Sequence, residues 1–477
     1  MCLGLPGALP VLNAAAVDAA IKVALALDAR VSQVTAFARK NYFYPDLPKG
    51  YQITQFGEPL ARDGRLDVRT GEGVRSVGIR QVHLEEDAGK SVHAEVGGGF
   101  VSLVDMNRCG VPLVEIVTRP DLRGVDEADG FLTALRRILV HLGVTTGKMH
   151  EGSLRFDTNV SLRRPGEETL GTQTEIKNLN SFRSVRRALE FEIRRQAGVL
   201  GGGGEVRHET MLWDEASGRA VPMRSKEGLS DYRYFPEPDL VDLTVDRARI
   251  DRVREAMPEL PEEARARLSA EYALPDYDAS VITAEPDTLR LYELVVTAGR
   301  GALGESAPAD LPKTVANWVM GPLLGYVNSR ATTVGDLARA HAESAGSDGA
   351  DVGREGATEA LEPLAGRVAD VVVARVRGDV SEPAARTLLD EMLDTGSPVE
   401  RLIETLGIAR VGDEGALAEV VAEVLEASQD EVQRYRAGET KLLRFFVGQV
   451  MKRTGGRADP EIAARLITRS IDGGEDD

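Results

Sequence analysis

Between Ser153 and Leu162 the chain alternates: Leu154, Phe156, Val160 and Leu162 fall on one parity, and Ser153, Arg155, Asp157, Asn159 and Ser161 on the other. Successive side chains of a strand point to opposite faces, so this stretch, within EGSLRFDTNVSLR at 151–163, predicts a half-buried strand with a polar working face. The flanking sequence supplies more strands. LVEIV at 113–117 sets Glu115 inside an apolar run, and TEIKNLN at 174–180 runs into a stretch where Phe182, Val185, Leu189 and Ile193 recur at helical spacing. Asn180 or Ser181 is placed to cap that helix.

After about Pro258 the texture changes. Helix start signals dominate, such as Ser381-Glu382-Pro383, Ser397-Pro398 and Asp459-Pro460. The fold class predicted is α+β, a mixed or antiparallel-sheet part followed by all-helical domains. At 477 residues the chain is too long for one core. The expected boundaries are 1–256 for the sheet-bearing domain, 257–400 for a helical domain and 401–477 for a helical tail. The small, acidic, glycine-rich stretch at about 343–360 reads as a mobile insert.

No apolar run is long enough to span a bilayer, no secretory signal is evident, and Cys2 and Cys109 cannot build a disulfide framework. The expectation is a soluble cytoplasmic protein with no membrane partner. A formal net charge of −18 opposes indiscriminate coating of nucleic acid. It still leaves local basic runs, one at Arg183, Arg186, Arg187, Arg194 and Arg195 and another at Lys441, Arg444, Lys452, Arg453 and Arg457. Between the latter, Phe445, Phe446 and Val447 read as core.

Chemistry-bearing residues gather in the strand segments. Glu85, Glu86 and Asp87 fall in RQVHLEEDAGK, Glu115 in LVEIV, Glu151 and Asp157 in EGSLRFD, and Glu175 in TEIKN. Carboxylates about 4 Å apart repel by roughly 4 kcal/mol at an effective dielectric near 20, so such a group takes up protons, pairs with Arg or Lys, or binds a divalent cation. Oxygen ligands favour Mg2+. Pairing with Arg80, Arg155 or Lys177 accounts for the same pattern, and the sequence leaves both readings open. His83, His93 and His150 lie near these acids and read as structural hydrogen-bonders. No P-loop, HExxH, CxxC pair or GxSxG elbow is present.

RKNYFYPDLPKGYQITQF, residues 39–56, concentrates aromatics in a chain with only 11 Phe, 10 Tyr and 2 Trp. Pro45 and Pro48 stiffen it, and Arg39, Lys40 and Lys49 flank it, a composition suited to stacking on a base beside phosphate.

That stretch and HLEEDAGK (83–90), LVDMNRCGVPLVEIV (103–117), EGSLRFDTNVSLR, EIKNLNSFRSV (175–185), DYRYFPEPDL (231–240), PELPEEARARL (258–268), NWVMG (317–321) and KLLRFFVGQVMKRTGGRADP (441–460) follow one another in register. Over nearly its whole length the chain resembles the B subunit of the aspartyl/glutamyl-tRNA amidotransferases. The resemblance implies a catalytic cradle, a helical domain and a tail resembling YqeY that grips tRNA. It also implies partners, the amidase or A subunit and the small C subunit, with ATP as substrate and Mg2+ as cofactor. The reaction implied converts Glu-tRNA(Gln) or Asp-tRNA(Asn) to the amide, with ATP phosphorylating the carboxylate before ammonia from glutamine displaces phosphate.

Carried over motif by motif, the catalytic and metal residues implied are Glu86, Asp157 and Glu175, with Glu115 and Glu151 as further metal candidates. Tyr42, Tyr44 and Lys49 are implied at the substrate, and Lys441, Arg444, Lys452 and Arg453 at tRNA. Family members begin a few dozen residues earlier, with a Glu-Val-His strand and, in many, paired zinc cysteines. Of those ligands only Cys2 is present here, so zinc is not expected in this chain. A start assigned too late or a truncated form accounts for this. The second reading is accordingly a tRNA-binding and assembly protein without chemistry of its own.

Overall fold

Alternation organises the first part of the chain. In the strand Ala61–Thr70, Leu66 and Val68 are buried while Arg65, Asp67 and Arg69 face water. The computed structural model describes residues 2–71, 73–223, 232–344, 354–408 and 414–472. They divide into two units, Met1–Pro261 and Glu262–Asp477.

In the first unit, one antiparallel sheet runs in the order Arg30–Val31, Ala61–Thr70, Gly73–Glu86, Pro112–Thr118. A second is ordered Phe156–Val160, Thr174–Leu179, Glu209–Asp214, Arg219–Pro222, and its central pair is parallel. The crossover between that pair is the helix Phe182–Gly201, capped by the Ser181 side chain, which accepts the Ser184 N–H. Both sheets bury their apolar faces in one core, where Val77 and Ile79 meet Phe131 and Leu135 of the helix Val125–His141, and Ile176, Met211 and Trp213. A small sheet of Phe235–Pro236, Ala38–Asn41 and Tyr51–Thr54 adjoins them.

The strand predicted from EGSLRFDTNVSLR is shorter than its alternation suggests. Met149–Glu151 is a 3-10 turn closed by Gly152 at φ 72°, a left-handed conformation that ends the extended run before it begins. Alternation then holds from Phe156 to Val160.

The second unit is helical. Ser381 caps the helix Glu382–Thr395, and the Asp459 carboxylate accepts the N–H groups of Glu461 and Ile462 at the start of Pro460–Asp472. One core joins residues from Ala264 to Leu402. A separate cluster holds Leu417, Val421, Phe446, Val450, Leu466 and Ile467. Of the expected insert, residues 345–353 lie outside the described residues, while Arg354 already begins the helix Arg354–Arg377. Among the described residues no helix is long and apolar enough to cross a membrane.

His341 is buried in this unit, and its two ring nitrogens fix its charge. Nε2 donates to the Leu393 carbonyl at 2.9 Å, and Nδ1 accepts from the Arg367 guanidinium at 3.0 Å. A proton on Nδ1 would be buried and would face that guanidinium, so burial first, and Arg367 as well, hold the imidazole below its usual range. The unfolded chain then binds the proton more readily. Stability should fall as pH drops below about 6.5, by up to about 1.4 kcal/mol per pH unit, and His341→Gln should flatten that slope in urea titrations at pH 5 to 7.

Candidate active site

The strand Gly73–Glu86 carries a register shift against Pro112–Thr118 between Ile79 and Gln81, leaving Arg80 as an extra residue. Before the bulge Val77 and Ile79 are buried; beyond it Val82 and Leu84 are, so His83 and Glu85 change sides. His83 pairs in register with Glu115 on the neighbouring strand.

Its Nδ1 lies 3.1 Å from a Glu115 oxygen. One ligand atom each from His83, Glu85 and Glu115 lies within 4.8 Å of the others, the one group of this kind among the described residues. Glu85 also accepts from the Thr54 hydroxyl and, at 3.1 Å, from the Gln52 amide. Burial, and then the Glu115 charge, push the Glu85 carboxyl up, whereas the His83 hydrogen bond holds Glu115 down, with Lys40 and Lys177 adding to it. Two acids and an imidazole in opposed protonation preferences form a donor set that a divalent cation would satisfy.

The acids implied by resemblance are placed differently. Glu86 is ion-paired with the nearly buried Lys49 and accepts the Ile53 N–H at 2.8 Å. Asp157 and Glu175 share Lys177, at 3.3 and 3.1 Å. Thr210 fixes Glu175 further by donating to it at 2.9 Å. Glu151 is exposed on the 3-10 turn, 3.3 Å from Lys148. Lys49 and Lys177 therefore do for Glu86, Asp157 and Glu175 what a cation would do for the His83 group. Asp87, adjacent in sequence, is buried between Arg108 and Arg155 at 2.5 and 2.8 Å.

The aromatic stretch borders this site. Tyr42 donates to the Gln52 side-chain amide oxygen Oε1 at 3.2 Å, and the Gln52 Nε2 in turn donates to Glu85. Phe43, Tyr44, Pro45, Leu47, Pro48, Lys49 and Gly50 line an open pocket of about 490 Å³. Tyr232 and Tyr234, which sequence reasoning did not single out, pack beside them: Tyr232 meets Tyr42 edge-on at 6.0 Å. The signal for His83 was also present, since residues 83 and 85 share a strand face, but only the bulge turns that face away from the apolar core, leaving His83 buried among polar partners.

The two basic runs separate. On the helix Phe182–Gly201, Arg186 pairs with Asp126 at 2.8 Å, Arg187 with Glu215 at 2.6 Å and Arg195 with the buried Glu192 at 2.8 Å, so three of the five are matched by acids of the same unit, while Arg183 and Arg194 are exposed. Near the end, Lys441, Arg444 and Lys452 are exposed and make no ion pair with a described residue, while Arg453 pairs with Glu423 at 3.0 Å. Phe446 is fully buried there, but Phe445, expected in the core, is 38% exposed, because adjacent helical residues diverge by about 100°.

Residues 1–251 match the family profile described as the GatB/GatE catalytic domain, and residues 302–471 match the GatB domain profile that includes YqeY. The chain is 45% identical over 471 residues to the B subunit of the aspartyl/glutamyl-tRNA(Asn/Gln) amidotransferase of Moorella thermoacetica, covering 99% of this chain and 92% of that relative. It is 41% identical to the protein of the same name from Persephonella marina, covering 98% and 91%.

Proposed function

Because the chain belongs to the B-subunit family of the aspartyl/glutamyl-tRNA(Asn/Gln) amidotransferases, which are glutamine-dependent ligase complexes, we propose that its sheet-bearing unit activates the aminoacyl carboxylate of Glu-tRNA(Gln), Asp-tRNA(Asn) or both. The observation that carries this is the group formed by His83, Glu85 and Glu115, inside the segment matched to the catalytic domain.

ATP and Mg2+ would supply the phosphoryl group and the charge that neutralises it. His83, Glu85 and Glu115 would hold the cation, with Lys40 and Lys177 adding positive charge near Glu115. A carboxylate oxygen attacks the γ-phosphorus and ADP leaves. Ammonia then attacks the acyl carbon, and inorganic phosphate departs with the proton that nitrogen loses. Tyr42, Tyr44 and Lys49 border the acceptor end in this reading, and the amidase (A) and small (C) partners would deliver the ammonia.

Reconstitution with those partners tests it: glutamine, ATP and Glu-tRNA should yield Gln-tRNA and ADP in equal amounts. Binding of tRNA without ADP formation would overturn the catalytic role and leave an assembly protein.

Lys441, Arg444 and Lys452 are proposed to meet tRNA phosphates. Changing all three to Ser should weaken binding at least about tenfold near 0.1 M salt and flatten the slope of log affinity against log salt by about 2 to 3. An unchanged slope in filter binding would remove them from the interface.

A further inference from the structure

We propose that Phe56 and Tyr234 form the platform for an adenine base of a nucleotide whose phosphates reach the His83 group. The proposal rests on the function above and adds a site to it. The two rings lie parallel, 8° apart and 4.1 Å between centroids. Aromatic pairs inside proteins divide between edge-on and offset-stacked contacts, and the other tyrosine contacts here are edge-on: Tyr232 to Tyr234 at 6.0 Å, and Tyr42 to Tyr44 at 6.1 Å. A parallel pair presents a flat outer face of the kind on which a third planar ring stacks. Phe56 is 50% exposed, so this side chain contributes little to the core.

The platform is built, not incidental. Phe235 pairs with Arg39 in the small sheet, Arg39 grips Glu237 through two hydrogen bonds of 2.8 Å, and Asn41 donates to the Arg233 carbonyl at 2.8 Å. Between the two tyrosines Arg233 sits at φ 43°, a left-handed conformation that costs a non-glycine residue about 1 kcal/mol or more. Such strain persists where the surroundings over-determine it, and here it brings Tyr232 and Tyr234 to one side.

Charge of both signs lies near the platform. The Lys40 ammonium is 5.1 Å from the Tyr232 ring centre. The Tyr234 hydroxyl is pushed up to about 12, chiefly by burial and then by Glu85, with Glu115 also contributing. Contacts run from Tyr234 to Tyr232, from Tyr232 to Tyr42, and through Gln52 to Glu85, so a base stacked on this pair would lie in the same ring cluster as Lys40 and beside the acid group. Two sources share this chemistry, ATP and the 3′-terminal adenosine of tRNA.

The test is direct binding to the assembled complex, which does not depend on turnover. Phe56→Leu should weaken ATP about tenfold if ATP is the source, or abolish the preference for intact tRNA over tRNA lacking its terminal adenosine if tRNA is. Phe56→Trp should restore either. If Leu changes neither, or Trp binds no better than Leu, the platform is refuted. Failure of the wild-type complex to amidate would refute the proposed function instead, leaving the binding result to stand by itself.

Discussion

Glu115→Gln is expected to lower ATP-dependent amidation by about 10²- to 10³-fold, the range seen when one preorganised charge is removed from a transition state. Glu115 is held ionised by His83, its partner across the ladder, and lies diagonal to Glu85. The neutral amide keeps the shape and forfeits the charge. Glu86→Gln and Asp157→Asn should also lose ATP-dependent activation while still assembling and binding tRNA, but for another reason: each leaves a lysine short of a partner, Lys49 in one case and Lys177 in the other. Mn2+ binding separates the causes. It should weaken at least about tenfold in Glu115→Gln and Glu85→Gln and stay near wild type in Asp157→Asn. Loss in Asp157→Asn alone would move the cation to the second sheet, and normal amidation by Glu86→Gln and Asp157→Asn would remove those acids from the machinery.

Trp213→Ala should cost about 3 to 5 kcal/mol, as truncating a large buried aromatic does. Trp213 is 2% exposed and meets Phe191 edge-on at 6.2 Å. Its Nε1 donates to Glu215 at 2.7 Å, and its carbonyl accepts from Asn178 at 2.9 Å. Asn178 sits beside Lys177, so loosening this strand also releases the cation that Asp157 and Glu175 share. Urea unfolding measures the first effect. Trp213→Phe, which retains most of the volume and loses the indole hydrogen bond, should cost about 1 to 2 kcal/mol. A loss under about 1 kcal/mol for Ala would mean that the core closes over the gap.

Much of this arrangement is legible in the sequence. The strands at 113–117 and 174–180 and the helix that follows Ser181 are local matters, set by alternation, spacing and a cap. The partners of the acids are not local. Lys49 reaches Glu86, and Lys177 reaches Asp157, only because separate strands are brought side by side. Tyr232 joins Tyr42 from about 190 residues away, a proximity no periodicity encodes. His83 was hidden for a different reason: extending the parity of Val77 and Ile79 sends it into the apolar core and away from Glu115, and nothing about Arg80 announces the slip.

That extra residue also governs which length changes the gene can tolerate. Loss of the Arg80 codon would mend the pairing with Pro112–Thr118 only by slipping Gln81 and Val82 one residue against Arg62 and Ala61, with which they now keep step, and would turn over the side chains from Gln81 to Glu86, sending His83 and Glu85 toward the apolar core. Substitutions along this strand are judged one side chain at a time. A single-codon gap would be judged on the whole run at once, so length variants that survive here should differ by two residues, not one.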